Sequence, residues 1–116
     1  MNSETKQMYE EGINNLLDGI GNSYADWNGA MATPDKVNQF RNGLKINSGR
    51  KFDKVIEQNR VWGFVAKTDG MLKGIPYNVG HVFKAAGWRA PAKHVRGTIF
   101  SSETNWFSWT GPNYRL

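Results

Sequence analysis

Apolar residues recur at Tyr9, Ile13, Leu16, Leu17 and Ile20, spaced i, i+4, i+7, i+8 and i+11, a single stripe on a helix. Asn14, Asn15 and Asp18 fall off that stripe. With Ser3 as cap, the pattern predicts a helix over residues 4–20, ended by Gly19, Gly21 and Asn22. Its stripe is expected to pack within its own domain, with a dimer contact as the alternative. Residues 21–32 then read as a linker in which Trp27 is an anchor. Thr33-Pro34-Asp35 is a helix start: a capping hydroxyl, a proline in the first turn, then an acid at the positive end of the dipole. A second helix is predicted to about Arg41, with Val37 and Phe40 facing inward and Asn42-Gly43 as its stop.

From there the period changes from helical to alternating. Ser48-Gly49 reads as a turn, residues 51–58 as a strand and Asn59-Arg60 as a tight turn. Residues 61–67, Val-Trp-Gly-Phe-Val-Ala-Lys, carry apolar side chains on both faces, which predicts a central strand. Gly63 inside it marks a bulge or a close backbone approach. Asp69-Gly70 is a turn signal, residues 71–79 read as a loop, and residues 80–86 as a third strand. Residues 98–101 are expected to form a short strand. The tail alternates Trp106, Ser108 and Thr110 against Phe107 and Trp109, a last strand or an aromatic tail clasping another subunit. The fold expected is a single α+β domain, 1–116, with two N-terminal helices (residues 1–44) packed on an antiparallel sheet of three to five strands.

Between these elements lies the stretch 83–97, Phe-Lys-Ala-Ala-Gly-Trp-Arg-Ala-Pro-Ala-Lys-His-Val-Arg-Gly. Pro91 suits the first position of a helix and Gly97 the position just past its end, so residues 91–96 are expected to form a short basic helical turn. The free amides of Ala92 and Lys93 at its start would favour an anion. Arg89, Lys93, His94 and Arg96 surround that start, Lys84 precedes it, and Trp88 offers a flat ring beside the cations. A base on the ring and a phosphate on the cations is the ligand this pattern suits.

Charge placement sharpens that picture. The net charge is +5, yet residues 1–30 hold five acids and one base, and residues 31–116 hold fourteen bases and five acids. No acid occurs between Asp69 and Glu103. An anionic partner for the C-terminal half is expected, with a solvated basic surface as the bland alternative. The absence of cysteine excludes disulfides and thiolate metal sites. Glu4, Glu10, Glu11 and Asp18 argue against a leader, and no apolar run is long enough for a membrane span, so a cytoplasmic protein is expected.

Catalytic patterns are weak. His81 and His94 have no acid near them in sequence, and no two histidines stand at metal-ligand spacing. Asp53 and Glu57 are four apart, about 13 Å on a strand. No glycine-rich phosphate loop is present. The expectation is a binding protein with no cofactor, and not an enzyme.

The stretch Lys84-Ala85-Ala86-Gly87-Trp88-Arg89-Ala90-Pro91-Ala92-Lys93-His94-Val95-Arg96-Gly97 resembles a family of small bacteriophage and prophage proteins. Their shared segment reads Lys, two small residues, Ser, Trp, Lys or Arg, Ala-Pro-Ala-Lys, two variable residues, Arg-Gly-Asn. Val61-Trp62-Gly63-Phe64-Val65 and Gly49-Arg50-Lys51-Phe52-Asp53-Lys54-Val55 are similar to that family's strands. Gly87 stands for the usual Ser and Thr98 for the usual Asn, and the loop 70–80 is longer. The resemblance covers about residues 34–100 and implies a phage origin. Small phage proteins of this size often counter host defence, one strategy being an oligomeric sponge that binds an immune signal nucleotide without cleaving it. The cyclic di- and trinucleotides of CBASS and the cyclic ADP-ribose signals of Thoeris are such ligands. The function expected is sequestration of a cyclic oligonucleotide by a homo-oligomer in the host cytoplasm. Arg89, Lys93 and Arg96 would hold phosphates, Trp88 would stack a base, and Lys84 and His94 would assist. The rival functions are a single-stranded nucleic-acid binder, a protein–protein inhibitor of a host enzyme, and a phosphodiesterase built on His81 and His94.

Overall fold

The computed structural model describes residues 2–31, 33–100 and 112. Two helices, α1 (Ser3–Asn28) and α2 (Pro34–Asn42), precede seven strands: β1 (Leu44–Ser48), β2 (Phe52–Glu57), β3 (Arg60–Ala66), β4 (Gly70–Leu72), β5 (Ile75–Tyr77), β6 (His81–Ala85) and β7 (Pro91–Thr98). Five strands form one antiparallel sheet in the order β1-β2-β3-β6-β7, and β4 and β5 form a separate ribbon inserted between β3 and β6. The architecture is α+β.

Helix α1 buries the expected stripe, Tyr9, Ile13, Leu16, Leu17 and Ile20. Its cap is Asn2, not Ser3: the Thr5 amide donates to Asn2 Oδ1 at 2.8 Å. It also runs two turns past Gly19, Gly21 and Asn22. A glycine inside a helix costs about 1 kcal/mol, and tertiary packing offsets that cost here. The Tyr24 ring stacks on Phe40 of α2 at 4.1 Å and 4°, and Arg41 Nε donates to Asp18 Oδ1 at 3.0 Å. The segment expected as a linker is therefore mostly helix, and Trp27 is no anchor, being 76% exposed. Helix α2 starts at Thr33, whose hydroxyl accepts from the Lys36 amide, and buries Phe40.

β3 is the central strand, as its two apolar faces predict. Val55 pairs with Gly63 and Ile56 with Val61, so Trp62 is the extra residue of a bulge. The bulge turns Trp62 toward the helices, where it packs with Val65, Val55, Val82 and the α1 stripe. A Cβ on Gly63 would lie 2.7 Å from the Phe83 carbonyl oxygen and 3.3 Å from Pro112 Cγ. The opposite face of the sheet carries a second cluster, Phe64, Ala66, Phe83 and Tyr77, with Phe52, Ala85 and Val95 packed against it. The rings of Phe52, Tyr77 and Phe83 meet at centroid distances of 5.4–5.9 Å. Among the described residues no helix covers this face; Tyr77 and Leu72 of the ribbon cover part of it.

Five further expectations need correction. Leu44 and Ile46 alternate into the core as strand β1, which pairs with β2 along its whole length. The loop 71–79 is largely the β4–β5 ribbon, closed by Lys73-Gly74 with φ of +51° and +82°, the positive pair that a tight hairpin turn demands. Residues 91–96 are strand, not helix. Pro91 opens an edge strand, where its missing amide costs no ladder bond, and Val95 pairs with Phe83 inside the apolar cluster. The segment 98–101 forms no new strand through Phe100: β7 ends at Thr98 and Ile99 returns to the core. The β2–β3 turn is Gln58-Asn59, one residue before the expected Asn59-Arg60, with Gln58 at φ +54°. The tail alternation at residues 106–110 lies outside the described residues. No helix among the described residues is long and apolar enough to cross a membrane.

Gly63→Ala should lower stability by about 1–3 kcal/mol, the usual cost of forcing an atom into a packed site. Urea unfolding of both forms measures it, and the midpoint should fall with the slope unchanged.

Candidate functional site

Period-two alternation divides β2 between the two faces of the sheet. Asp53, Val55 and Glu57 turn toward the helices, and Phe52, Lys54 and Ile56 toward the open face. Lys54 is flanked in the ladder by Asn47 of β1 and Phe64 of β3. The β6–β7 hairpin loop, closed where Ala86 N donates to Ala90 O at 2.9 Å, brings Trp88 and Arg89 across this face. The result is a cavity of about 300 Å³ bounded by Arg50, Lys51, Lys54 and Arg89, with Phe52 and Phe64 as its apolar floor. Asn47 and Gly49 complete the rim. Lys54 Nζ lies 4.8 Å from the Trp88 ring centroid and 6.0 Å from that of Phe64.

Four cations and no carboxylate line this cavity among the described residues. Like charges held together around a partly apolar recess raise the local positive potential and favour an anion. Arg50 and Arg89 can each fork onto phosphate oxygens, and Trp88, which is 53% exposed, presents a ring face.

The turn carrying Arg50 and Lys51 is anchored from behind. Lys67 Nζ donates to Ser48 Oγ at 2.8 Å and to the Gly49 carbonyl at 3.1 Å, and its amide donates to the Lys51 carbonyl at 2.9 Å. Lys67 Nζ is also 3.9 Å from Asp53 Oδ1. Asp53 is buried, and its Oδ2 accepts from the Tyr9 hydroxyl at 2.7 Å. Burial, then the hydrogen bond and charge of Asp53, hold the Tyr9 hydroxyl protonated well above the usual phenol range. Tyr9 thus donates to a buried ion and ties α1 to the strand behind the site.

Of the residues expected to bind, the structure brings Arg89 into the lining of this cavity and sets Trp88 beside its Lys54. Lys84 is exposed on β6 and alternates away from Phe83 and Ala85, which face the cavity side. Lys93 and His94 are exposed on edge strand β7, and Arg96 is half-buried there. With no helix at Pro91, the expected anion site on the amides of Ala92 and Lys93 does not form. Sequence reading missed Arg50, Lys51 and Lys54 as site residues. Their signal was the spacing Arg-Lys-Phe-x-Lys at 50–54, which puts Phe52 and Lys54 on one face.

The two histidines do not converge. His94 lies beyond the Phe83–Val95 pair, more than two residues along the ladder from His81, or about 7 Å at the least. His81 Nδ1 accepts from the Asn78 amide at 3.0 Å. No group of three His, Asp or Glu side chains among the described residues is placed to hold a metal ion.

Burial lowers the His81 pKa, with Asp69 opposing the shift. A depressed pKa contributes stability above the unfolded value, about 6.5, that is lost as pH falls through the folded value. Thermal melts of the protein should therefore lose more stability between pH 7 and pH 5 than those of His81→Asn, which keeps an acceptor but does not titrate. Parallel profiles would remove His81 as the source.

No curated protein and no solved structure matches the chain. A family model matches residues 3–114, nearly its whole length. The protein belongs to that family, a family of unknown function (DUF7717).

Proposed function

We propose that the protein binds a phosphate-bearing nucleotide in the cavity between β2 and the β6–β7 loop and holds it without cleaving it. The observation that carries this reading is the convergence of four cations and two aromatic rings on one recess, with a third ring, Trp88, beside its Lys54 and no carboxylate in its lining among the described residues. Stacking a base on an aromatic ring contributes about 1–3 kcal/mol, and each hydrogen bond to a charged group about 1.5–3 kcal/mol. The lining supplies charge and ring faces, and no acid–base pair poised near neutral pH. Retention therefore fits it better than turnover.

The lead ligand is a cyclic oligonucleotide of host immune signalling, and the lead setting is phage counter-defence in the host cytoplasm. Support for that setting is the resemblance of residues 84–97 to phage and prophage proteins. A volume of about 300 Å³ is at the low end for ligand sites and suits one nucleotide unit. A ring of two or three units would then be shared by as many copies of the chain, which is the reason to propose a homo-oligomer. A second reading, single-stranded nucleic acid, draws on the exposed cations Lys84 and Lys93 and the exposed His94 beyond the cavity.

A ligand panel tests both. Cyclic di- and trinucleotides, cyclic ADP-ribose isomers and short single strands are mixed with the protein, followed by thermal shift and mass spectrometry of what heat releases. One cyclic nucleotide should give a shift and return intact. Arg50→Ala with Arg89→Ala should weaken it by about 100-fold or more, the loss of two charge-assisted contacts. Lys93→Ala with His94→Ala should leave it within about twofold, the range of a surface charge. A shift only with oligonucleotides, falling steeply with salt, favours the second reading. Recovery of a cleaved product overturns retention.

A further inference from the structure

We propose that Lys54 is a specificity-determining residue: its ammonium fills the place that a ligand's flat ring must take, so the cavity admits a ring only when the same molecule carries a phosphate. This rests on the reading of the cavity as a nucleotide site. Lys54 projects from β2 onto the open face between Asn47 and Phe64, neither of which is an acid. Its Nζ contacts ring faces instead, 4.8 Å from the Trp88 centroid and 6.0 Å from the Phe64 centroid. Both distances lie within the reach of a cation–π contact.

A base stacking on the inner face of Trp88 needs the position the ammonium holds. Once displaced, that ammonium stands among Arg50, Lys51 and Arg89, which repel it. A neutral ring leaves this repulsion uncompensated and also removes the π contact. A nucleotide brings the compensating charge with it, since the displaced ammonium pairs with the incoming phosphate. Ring entry and phosphate capture are thereby coupled through one side chain. The cavity discriminates against nucleosides, free bases and other uncharged aromatics, and inorganic phosphate alone leaves the ring place filled by the lysine.

The test uses AMP and adenosine as probes, read by isothermal titration of the protein and of Lys54→Ala and Lys54→Met. Thermal melts first establish that all three forms fold alike. Lys54→Ala opens the ring place and should bind adenosine about two- to fivefold more tightly than the original protein, the size of a lost exposed cation–π contact. The same change should weaken AMP by at least about tenfold, since a charged hydrogen bond is gone. Lys54→Met keeps bulk at the ring and lacks charge, so it should weaken AMP without gaining adenosine. Adenosine affinity unchanged or reduced in Lys54→Ala overturns the proposal even where Arg89→Ala still weakens AMP and the nucleotide reading stands. Should AMP bind none of the forms and Arg89→Ala change nothing with any nucleotide, the nucleotide reading falls and this proposal falls with it.

Discussion

A central strand that is apolar on both faces forces the sheet to be covered twice. Trp62 and Val65 of β3 face the helices, and Phe64 and Ala66 face the other way. Helix α1 has a stripe long enough to cover the first side. Among the described residues the second side has the β4–β5 ribbon and the curled β6–β7 loop. Between these two elements Phe52 and Phe64 form the floor of the cavity. The bulge at Trp62 belongs to the same constraint. One extra residue lets the largest side chain of the strand turn to the helix side while Phe64 keeps the open side, at a place where Gly63 alone fits beneath the Phe83 carbonyl.

The two faces are not independent. A buried carboxylate is costly unless partners hold it, and Asp53 has Tyr9 on one oxygen and Lys67 near the other. Lys67 gives its hydrogen bonds to Ser48 and Gly49, so the lysine that neighbours the Asp53 carboxylate also holds the turn bearing Arg50 and Lys51. Binding residues on a short turn are useful only if the turn has one conformation, and this network supplies that restraint from inside the fold. The basic rim and the acidic N-terminal helix are thereby parts of one arrangement: α1 contributes its buried stripe, Tyr9 included, to the sheet and leaves its acids at the surface, where Asp18 pairs with Arg41 of α2.

The helical stripe, the proline-capped start of α2 and the two-faced strand β3 were all legible in the sequence, because each is a local pattern with a strong period. What misled was local chemistry overruled by long-range pairing. Pro91 and Gly97 suit a helix's ends equally well as they suit an edge strand opening and a buried ladder position. The choice between them is made by Val95 packing beside Phe83, which no local reading contains. Gly19 and Gly21 suggested a helix end that the Tyr24–Phe40 stack prevents. The site was half legible. Trp88 and Arg89 stand out as a ring beside a cation, whereas Arg50, Lys51 and Lys54 sit some 35–40 residues earlier and join them only when the hairpin loop folds over the sheet.

The proposed ligand position is the cavity of β2 and the 86–90 loop, and not the basic edge strand. Its most direct measurement is an amide and indole chemical-shift map of the isotopically labelled protein titrated with a cyclic dinucleotide. The largest changes should fall on residues 49–54, 64 and 87–89, including the Trp88 indole N–H. Changes confined to residues 93–96 of β7, or spread along α1, would contradict it.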